Sequence, residues 1–347
     1  MDRLAHTALS AAPPNLSVAI IDAAVAEQFN LRGSYTPLVS ERDQNFLLTT
    51  SGGQQYVVKV TSSAEAKAVS DFQIAALLHL EQFKNLRVPQ VVRTLNERLS
   101  GSVQHEGTTY RLRLNNYLAG DLLASLPLND ELVRDFGAKL ASLDIGLEPF
   151  SHEGEQPVLL WDLQRAGELR ALLLHIDDAT VRGRVSAVID DFEKLVVPRL
   201  GTLRTQVIHG DANPENVLID PASRRVSGFI DFGDMIRAPL VFEVAIAAAY
   251  LRAEDTQPLE FIAPFVAGYC SVRPLESIEL SLMFDLVRAR LATTITLLYW
   301  RLSAREQNDP YRQKTLQREA GASAFLAALE RLGRTAFLDE LRQALGH

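Results

Sequence analysis

The chain changes character at Leu118–Ala119–Gly120–Asp121. Before that point, short apolar runs alternate with polar turns: Tyr35–Ser40, a turn at Glu41–Gln44, Phe46–Thr50, a Ser51–Gly52–Gly53 turn, then Tyr56–Val60. Runs of this length between turn residues predict three antiparallel strands. Val88–Thr94, Leu99–His105 and Tyr110–Tyr117 read as further strands. Ser17 is a candidate N-cap for a helix with apolar Val18, Ile21, Val25 and Phe29. One helix is inserted among the strands at 64–83, with apolar Ala68, Phe72, Ala75, Leu78 and Leu80. After the change, helical periodicity dominates, over 129–144, 162–175, 179–200, 239–253, 257–270, 275–302 and 315–332. A chain of 347 residues is longer than one core usually supports. The pattern predicts an α+β protein in two lobes. Residues 1–117 form a small antiparallel-sheet lobe that opens with a loose arm at 1–16, and 118–347 a large, mainly helical one.

Composition narrows the class. Apolar residues make up 47% and charged residues 22%, so a sizeable core is available. The net charge of −8 argues against non-specific nucleic-acid binding and suits a cationic substrate as well as plain solubility. A single cysteine, Cys270, excludes an internal disulfide and a cysteine zinc cluster. Val241–Leu251 is apolar but interrupted by Glu243 and too short to span a bilayer. With no basic and apolar leader at the start of the sequence, the expectation is a soluble, cytoplasmic protein with no membrane partner.

The one sheet-like interruption in the helical lobe carries the chemistry. Thr205–Ile208 is a β-rich run that delivers His209–Gly210–Asp211 to a loop. Val217–Asp220 and Val226–Ile230 are joined by the turn Asp220–Pro221–Ala222–Ser223–Arg224–Arg225. Asn216 opens one arm of that hairpin and Asp231, in Asp231–Phe232–Gly233–Asp234, closes the other. Each short motif alone is common. Together they are the ordered set that phosphoryl transfer from a nucleoside triphosphate needs: a carboxylate to orient an acceptor hydroxyl, and an amide and a second carboxylate to hold divalent metal on the phosphates. Asp211 is the candidate catalytic residue, and Asn216 and Asp231 are the candidate ligands of Mg2+.

Upstream, Lys59 alternates with Val58 and Val60 in an apolar strand, so it points to the opposite side from them. In a lobe covering a nucleotide, its ammonium would meet the phosphates. The first hairpin, Val39–Asn45, contains no glycine, unlike the phosphate loop of protein kinases.

These residues make the chain resemble the aminoglycoside phosphotransferase and choline kinase superfamily, within the protein-kinase-like fold. It is most similar there to the hydroxylysine kinase group. The resemblance rests on Leu114–Gly120, Phe136–Asp144, Trp161–Asp162–Leu163, and above all Val226–Met235 followed by Val241–Ile246. It implies a kinase that uses ATP or GTP with Mg2+ to phosphorylate a hydroxyl on a small amine or amino acid. It also implies catalytic Asp211, metal ligands Asn216 and Asp231, and phosphate-binding Lys59. Tyr117, at the end of the last strand, falls on the nucleotide side. His209 and Glu243 would support the catalytic loop. The helix glutamate that pairs with the lysine in this fold is not evident: Gln73 falls near its place, Glu65 lies a turn or more earlier, and Asp71 is the preferred partner of Lys59.

The acceptor is less legible. An ammonium needs an anion, and Asp234, directly after the metal loop, is the candidate. A substrate carboxylate needs a cation, and Arg237, Arg288 and Arg290 are all open. Arg301, Arg305, Arg312 and Arg318 make the far C-terminal region unlike the acidic cleft an aminoglycoside requires. The expected acceptor is 5-hydroxylysine or a related amino alcohol. Homoserine, choline, an aminoglycoside, or nucleotide binding without catalysis are the alternatives.

Overall fold

In the strand Gln55–Thr61, Val58 and Val60 are fully buried while Lys59 between them is half-buried. That alternation is the signature of a sheet with one face on a core. The computed structural model describes residues 13–40, 42–253, 256–303 and 310–346, with the backbone alone for 310–315. Residues 1–12 of the expected arm, Glu41 of the first turn, and the side chains of Arg305 and Arg312 lie outside the described part.

By contacts, the chain divides into two units. The first comprises 1–119 together with a returning segment, His152–Val158. Its elements are α1 (Val18–Phe29), β1 (Gly33–Leu38), β2 (Gln44–Thr50), β3 (Gln55–Thr61), α2 (Lys67–Leu80), β4 (Gly101–His105) and β5 (Thr108–Asn116). The strands form one antiparallel sheet in the order β1-β2-β3-β5-β4. Ile21, Val25 and Phe29 of α1 pack on Phe46, Leu48, Val58, Val60, Leu112 and Leu114. Each such side chain contributes about 1.5–3 kcal/mol on burial. Ser17 precedes α1 as expected, but its side chain makes no capping bond; only its main-chain oxygen takes part, accepting from Ile20 and Ile21. The expected strand Val88–Thr94 is reduced to a single bridge, Val91 to Asn115. Pro89 lacks the N–H that a continuous ladder there would use. The returning segment is fixed by the His152 ring stacked on Phe72, with centroids 5.9 Å apart.

The second unit holds Gly120–Ser151 and Leu159–His347. Its elements are β6 (Asp121–Leu122), α3 (Asp130–Leu147), α4 (Ala179–Asp191), β7 (Thr205–Ile208), β8 (Val217–Ile219), β9 (Val226–Phe229), β10 (Ile236–Pro239), α5 (Leu240–Ala248), α6 (Ile262–Val272), α7 (Ser277–Ser303), α8 (Pro310–Leu332) and α9 (Arg334–Ala344). Two expected helices differ. Residues 163–175 wind as 3-10 turns around Gly167, and the helix expected over 179–200 gives way at Phe192 to a π turn and then 3-10 turns. Pro198 accounts for the second, since it cannot donate into a continuing helix. The α9 helix carries no expectation from the sequence. Among the described residues, no helix is long and apolar enough to cross a membrane.

Candidate active site

The strand β7 is buried from Gln206 to Ile208 and pairs antiparallel with β10, Ile208 opposite Ile236. It ends on His209, which is fully buried. His209 Nδ1 accepts from the Asp211 N–H at 3.3 Å, so the ring proton is on Nε2, which donates to the Ile230 carbonyl at 3.0 Å. The ring is wedged edge-on to Phe232, with centroids 4.7 Å apart. His209 thus ties the start of the Asp211 loop to the end of β9. Gly210 has φ +77°, and a Cβ there would stand 2.4 Å from the Asp234 carbonyl oxygen. Only glycine meets both conditions without strain.

Behind the loop, Glu243 of α5 is fully buried, and its Oε2 accepts the Gly210 N–H at 3.0 Å. Burial pushes its carboxyl upward, opposed by His209 and by the loop amides it accepts from. A second buried carboxyl, Asp144 of α3, accepts from the Tyr269 hydroxyl at 2.6 Å. Burial, then the charge of Glu243, raises Asp144 well above the usual carboxylate range. The main-chain oxygen of Asp144 takes the Gln206 amide at 2.8 Å, so this layer also grips β7.

In front of the loop, the Asp211 carboxylate is held from two sides. Its Oδ2 accepts from Asn213 Nδ2 at 2.9 Å and from Asn216 Nδ2 at 3.0 Å. Its Oδ1 accepts from Arg290 Nη2 at 3.0 Å. Asn216 also donates to the Asp211 main-chain oxygen at 2.9 Å, and its own carbonyl receives the Ile230 N–H at 3.0 Å. The expected hairpin β8–β9 is present, with Val217 opposite Phe229. Desolvation carries Asp211 up to about 7, against the pull of Arg290 and with further push from Asp234 and Asp231. Asp231 is exposed and left-handed at φ +59°, unusual for a residue with a side chain. Asp234 is half-buried.

Among the described residues, no group of three or more His, Cys, Asp or Glu could cage a metal. A hard cation held jointly with phosphate oxygens and water needs only one or two protein oxygens. Asn216 and Asp231 have that character. With the Asn216 nitrogen turned to Asp211, its amide oxygen is the atom left for a cation.

In the first unit, Lys59 lies between Asn45 and Arg113 across the sheet. The expectation that Asp71 pairs with it is corrected here. Asp71 Oδ1 is 2.6 Å from Arg111 and Oδ2 is 2.5 Å from Lys67. Burial raises Asp71, but those two bonds outweigh it and hold the carboxyl below its ordinary value. Gln73 accepts from Arg113 at 2.6 Å. Glu65, in the turn before α2, feels the charge of Lys59; burial raises its carboxyl, opposed by Arg113 first and then by Arg42 and Lys59. Tyr117 is 40% exposed beyond β5, and its N–H donates to the Gln55 carbonyl at 3.0 Å.

Three arginines were open as carboxylate partners, and their surroundings now differ. Arg288 lies 2.8 Å from Asp191 and 3.6 Å from Glu330. Arg237 reaches toward the carbonyls of Thr205 and Phe150. Arg290 is bonded to Asp211. Asn213 and Tyr250 also join the site unannounced; for Asn213, its place two residues after Asp211 was the available signal.

A model of the phosphotransferase enzyme family matches residues 34–280. The chain belongs to this family. It is a phosphotransferase with an alcohol acceptor, a kinase. Hydroxylysine kinase of Danio rerio is 30% identical over 312 residues, covering 86% of this chain and 88% of that protein. A microcompartment-associated aminopropanol kinase superposes with a TM-score of 0.69 at 17% identity, covering 91% of this chain and 97% of that one. An amicoumacin kinase in complex with AMP-PNP and Ca2+ gives 0.68 at 13% identity, covering 92% and 98%. The two structures establish the protein-kinase-like fold of the family, with an antiparallel-sheet unit and a mainly helical one.

Proposed function

We propose that this phosphotransferase moves the γ-phosphoryl group of ATP or GTP to the hydroxyl of a hydroxy-amino acid or amino alcohol, with 5-hydroxylysine the leading acceptor. The observation that carries the reading is the clamp on Asp211. Asn213 and Asn216 hold one carboxylate oxygen and Arg290 the other, so the base is oriented before any acceptor arrives. The likeness to a hydroxylysine kinase over most of both chains favours that acceptor.

In this reading, the acceptor oxygen bonds to the γ-phosphorus in line as the bridging oxygen of the departing diphosphate takes the electron pair. Asp211 receives the hydroxyl proton late in the step, so it need not be a strong base. Lys59 faces the phosphates and Tyr117 lies on the nucleotide side. Asn216 and Asp231 would hold Mg2+, which supplies charge neutralisation on the phosphates. Asp234 offers its carboxylate to the acceptor ammonium. His209 and Glu243 act on the loop and not on the substrate: one ties it to β9, the other holds the Gly210 amide.

The test is a product-mass screen over hydroxylated amines and amino acids, each with MgATP and with MgGTP. Phosphorylated hydroxylysine is the expected product. Turnover of another small amino alcohol with hydroxylysine inert would move the acceptor and leave the kinase. No phosphorylated product across the panel would end the proposal.

A further inference from the structure

Arg290 is 5% exposed, on a helix otherwise committed to the core. A guanidinium carries five N–H donors and cannot shed its charge. Here Nη2 serves both Asp211 Oδ1 at 3.0 Å and the Tyr250 hydroxyl at 3.1 Å, and Nη1 reaches the Trp161 carbonyl at 3.3 Å. Nε, buried as well, has no hydrogen-bond partner. A buried charged donor left unmatched is costly and calls for a partner; Arg252, Arg273 and Arg288 carry one too, but Arg290 carries it beside Asp211.

The unmatched donor has a defined geometry. Nε–H and one Nη2–H run parallel along one edge of the planar fork, the edge that takes a carboxylate through two bonds. Nη2 already serves Asp211 and Tyr250, while Nε serves nothing. A carboxylate seated there would fill Nε and share Nη2.

We propose that Arg290 is a specificity residue: its Nε–Nη2 edge takes the carboxylate of a hydroxy-amino acid acceptor. The inference rests on the acceptor class proposed above and sharpens it from any amino alcohol to one that bears a carboxylate. The other arginines fit less well, since Arg288 is already ringed by Asp191, Asp285 and Glu330.

The experiment uses matched pairs: hydroxylysine, homoserine and threonine, each against the amino alcohol left when its carboxylate is removed. Specificity constants are measured with MgATP for the wild type, Arg290→Gln and Arg290→Lys. In the wild type, the carboxylated member of the productive pair should lead by about ten- to a hundredfold, the size of a lost charge-assisted contact. In Arg290→Gln that ratio should fall to about one, with KM for ATP unchanged. Arg290→Lys should keep part of it, since a lysine charge remains without the fork. If Arg290→Gln lowers both members in parallel, the residue only positions Asp211 and the proposal is overturned. A wild type that prefers the amino alcohols overturns it while the kinase reading stands. If no pair is turned over, the acceptor reading fails and this inference with it. Should Arg290→Gln not fold, judged by its thermal transition, the ratio in Arg290→Lys and in the wild type still decides.

Discussion

Asp211 has hydrogen-bond partners on both oxygens, and two of the three are anchored elsewhere: Asn216 to the end of β9, Arg290 to Tyr250 and Trp161. Asp211→Asn keeps the shape but cannot take a proton, and its amide nitrogen would face a donor from Arg290 or from the asparagines. The expected result is a loss of turnover of about 10²–10⁴-fold, the usual worth of a positioned general base. Nucleotide affinity, measured by titration calorimetry, should stay within about twofold. A near-wild-type rate would remove Asp211 from the reaction. The sequence made this residue legible because Asp211 lies just before the hairpin that Asn216 and Asp231 flank, and local spacing fixes their neighbourhood. Arg290 was one of three candidates for a reason of geometry. Residues two apart on a helix point about 200° apart, so Arg288 and Arg290 face different partners, and only tertiary packing tells which faces the loop. The expected pairing of Asp71 with Lys59 failed for a similar reason. Asp71 sits on the face of α2 turned to Arg111, whereas Glu65 is placed by a turn that periodicity does not describe.

At the scale of elements, the catalytic loop is set by α3, α5 and α6 beneath it. The crossing of α3 and α6 is close enough to bring backbones together: a Cβ on Gly268 would lie 2.1 Å from the Arg134 carbonyl oxygen, and one on Gly137 2.1 Å from that of Phe265. By helix propensity alone, Gly→Ala gains up to about 1 kcal/mol. At Gly268 the clash with backbone reverses the sign, and Gly268→Ala should cost about 1–3 kcal/mol, lowering Tm by several degrees. Gly183 of α4, exposed with nothing near, is the control: Gly183→Ala should hold Tm or raise it. Equal shifts in both variants would refute the close crossing. The same layer predicts a pH effect. Asp144 faces Glu243, Tyr269 and Arg273, and its carboxyl is raised by burial and by Glu243. A raised acid binds its proton more tightly folded than unfolded, so its contribution is full below the unfolded value and is lost as pH rises through the folded one. Asp144→Asn cannot ionise and still accepts from the Tyr269 hydroxyl. The difference in Tm, wild type minus variant, should therefore fall as pH rises from about 4 toward neutrality. A flat difference would mean Asp144 titrates alike in both states. Strand runs with period two were read well, as in β2 and β3. Val88–Thr94 was over-read because an apolar run looks the same whether or not its amides join a ladder.

For the molecule as a whole, charge decides how a donor nucleotide binds. The chain has a net charge of −8, and Asp211 feels the charges of Asp231 and Asp234 with Arg290 as its cation. A triphosphate entering such a field is repelled unless a divalent cation comes with it. With MgATP at about a hundred times its dissociation constant, binding should stabilise the folded state by about 2.7 kcal/mol. For a unit of this size that is a rise in Tm of roughly 5–10 °C. The shift belongs to the transition in which the second unit, the one bearing Asn216 and Asp231, unfolds. Chelation of magnesium with ATP still present should abolish it. Asp231→Ala, which removes the anionic oxygen of the proposed pair, should leave ATP with the same small effect with and without magnesium. Both are read from thermal melts of the same preparations, with magnesium alone as the blank, because a cation that merely relieved the repulsion among carboxylates would raise Tm without nucleotide. If ATP stabilises the wild type equally in chelator and in magnesium, the donor is held by the protein without a metal bridge, and the roles given to Asn216 and Asp231 fall together.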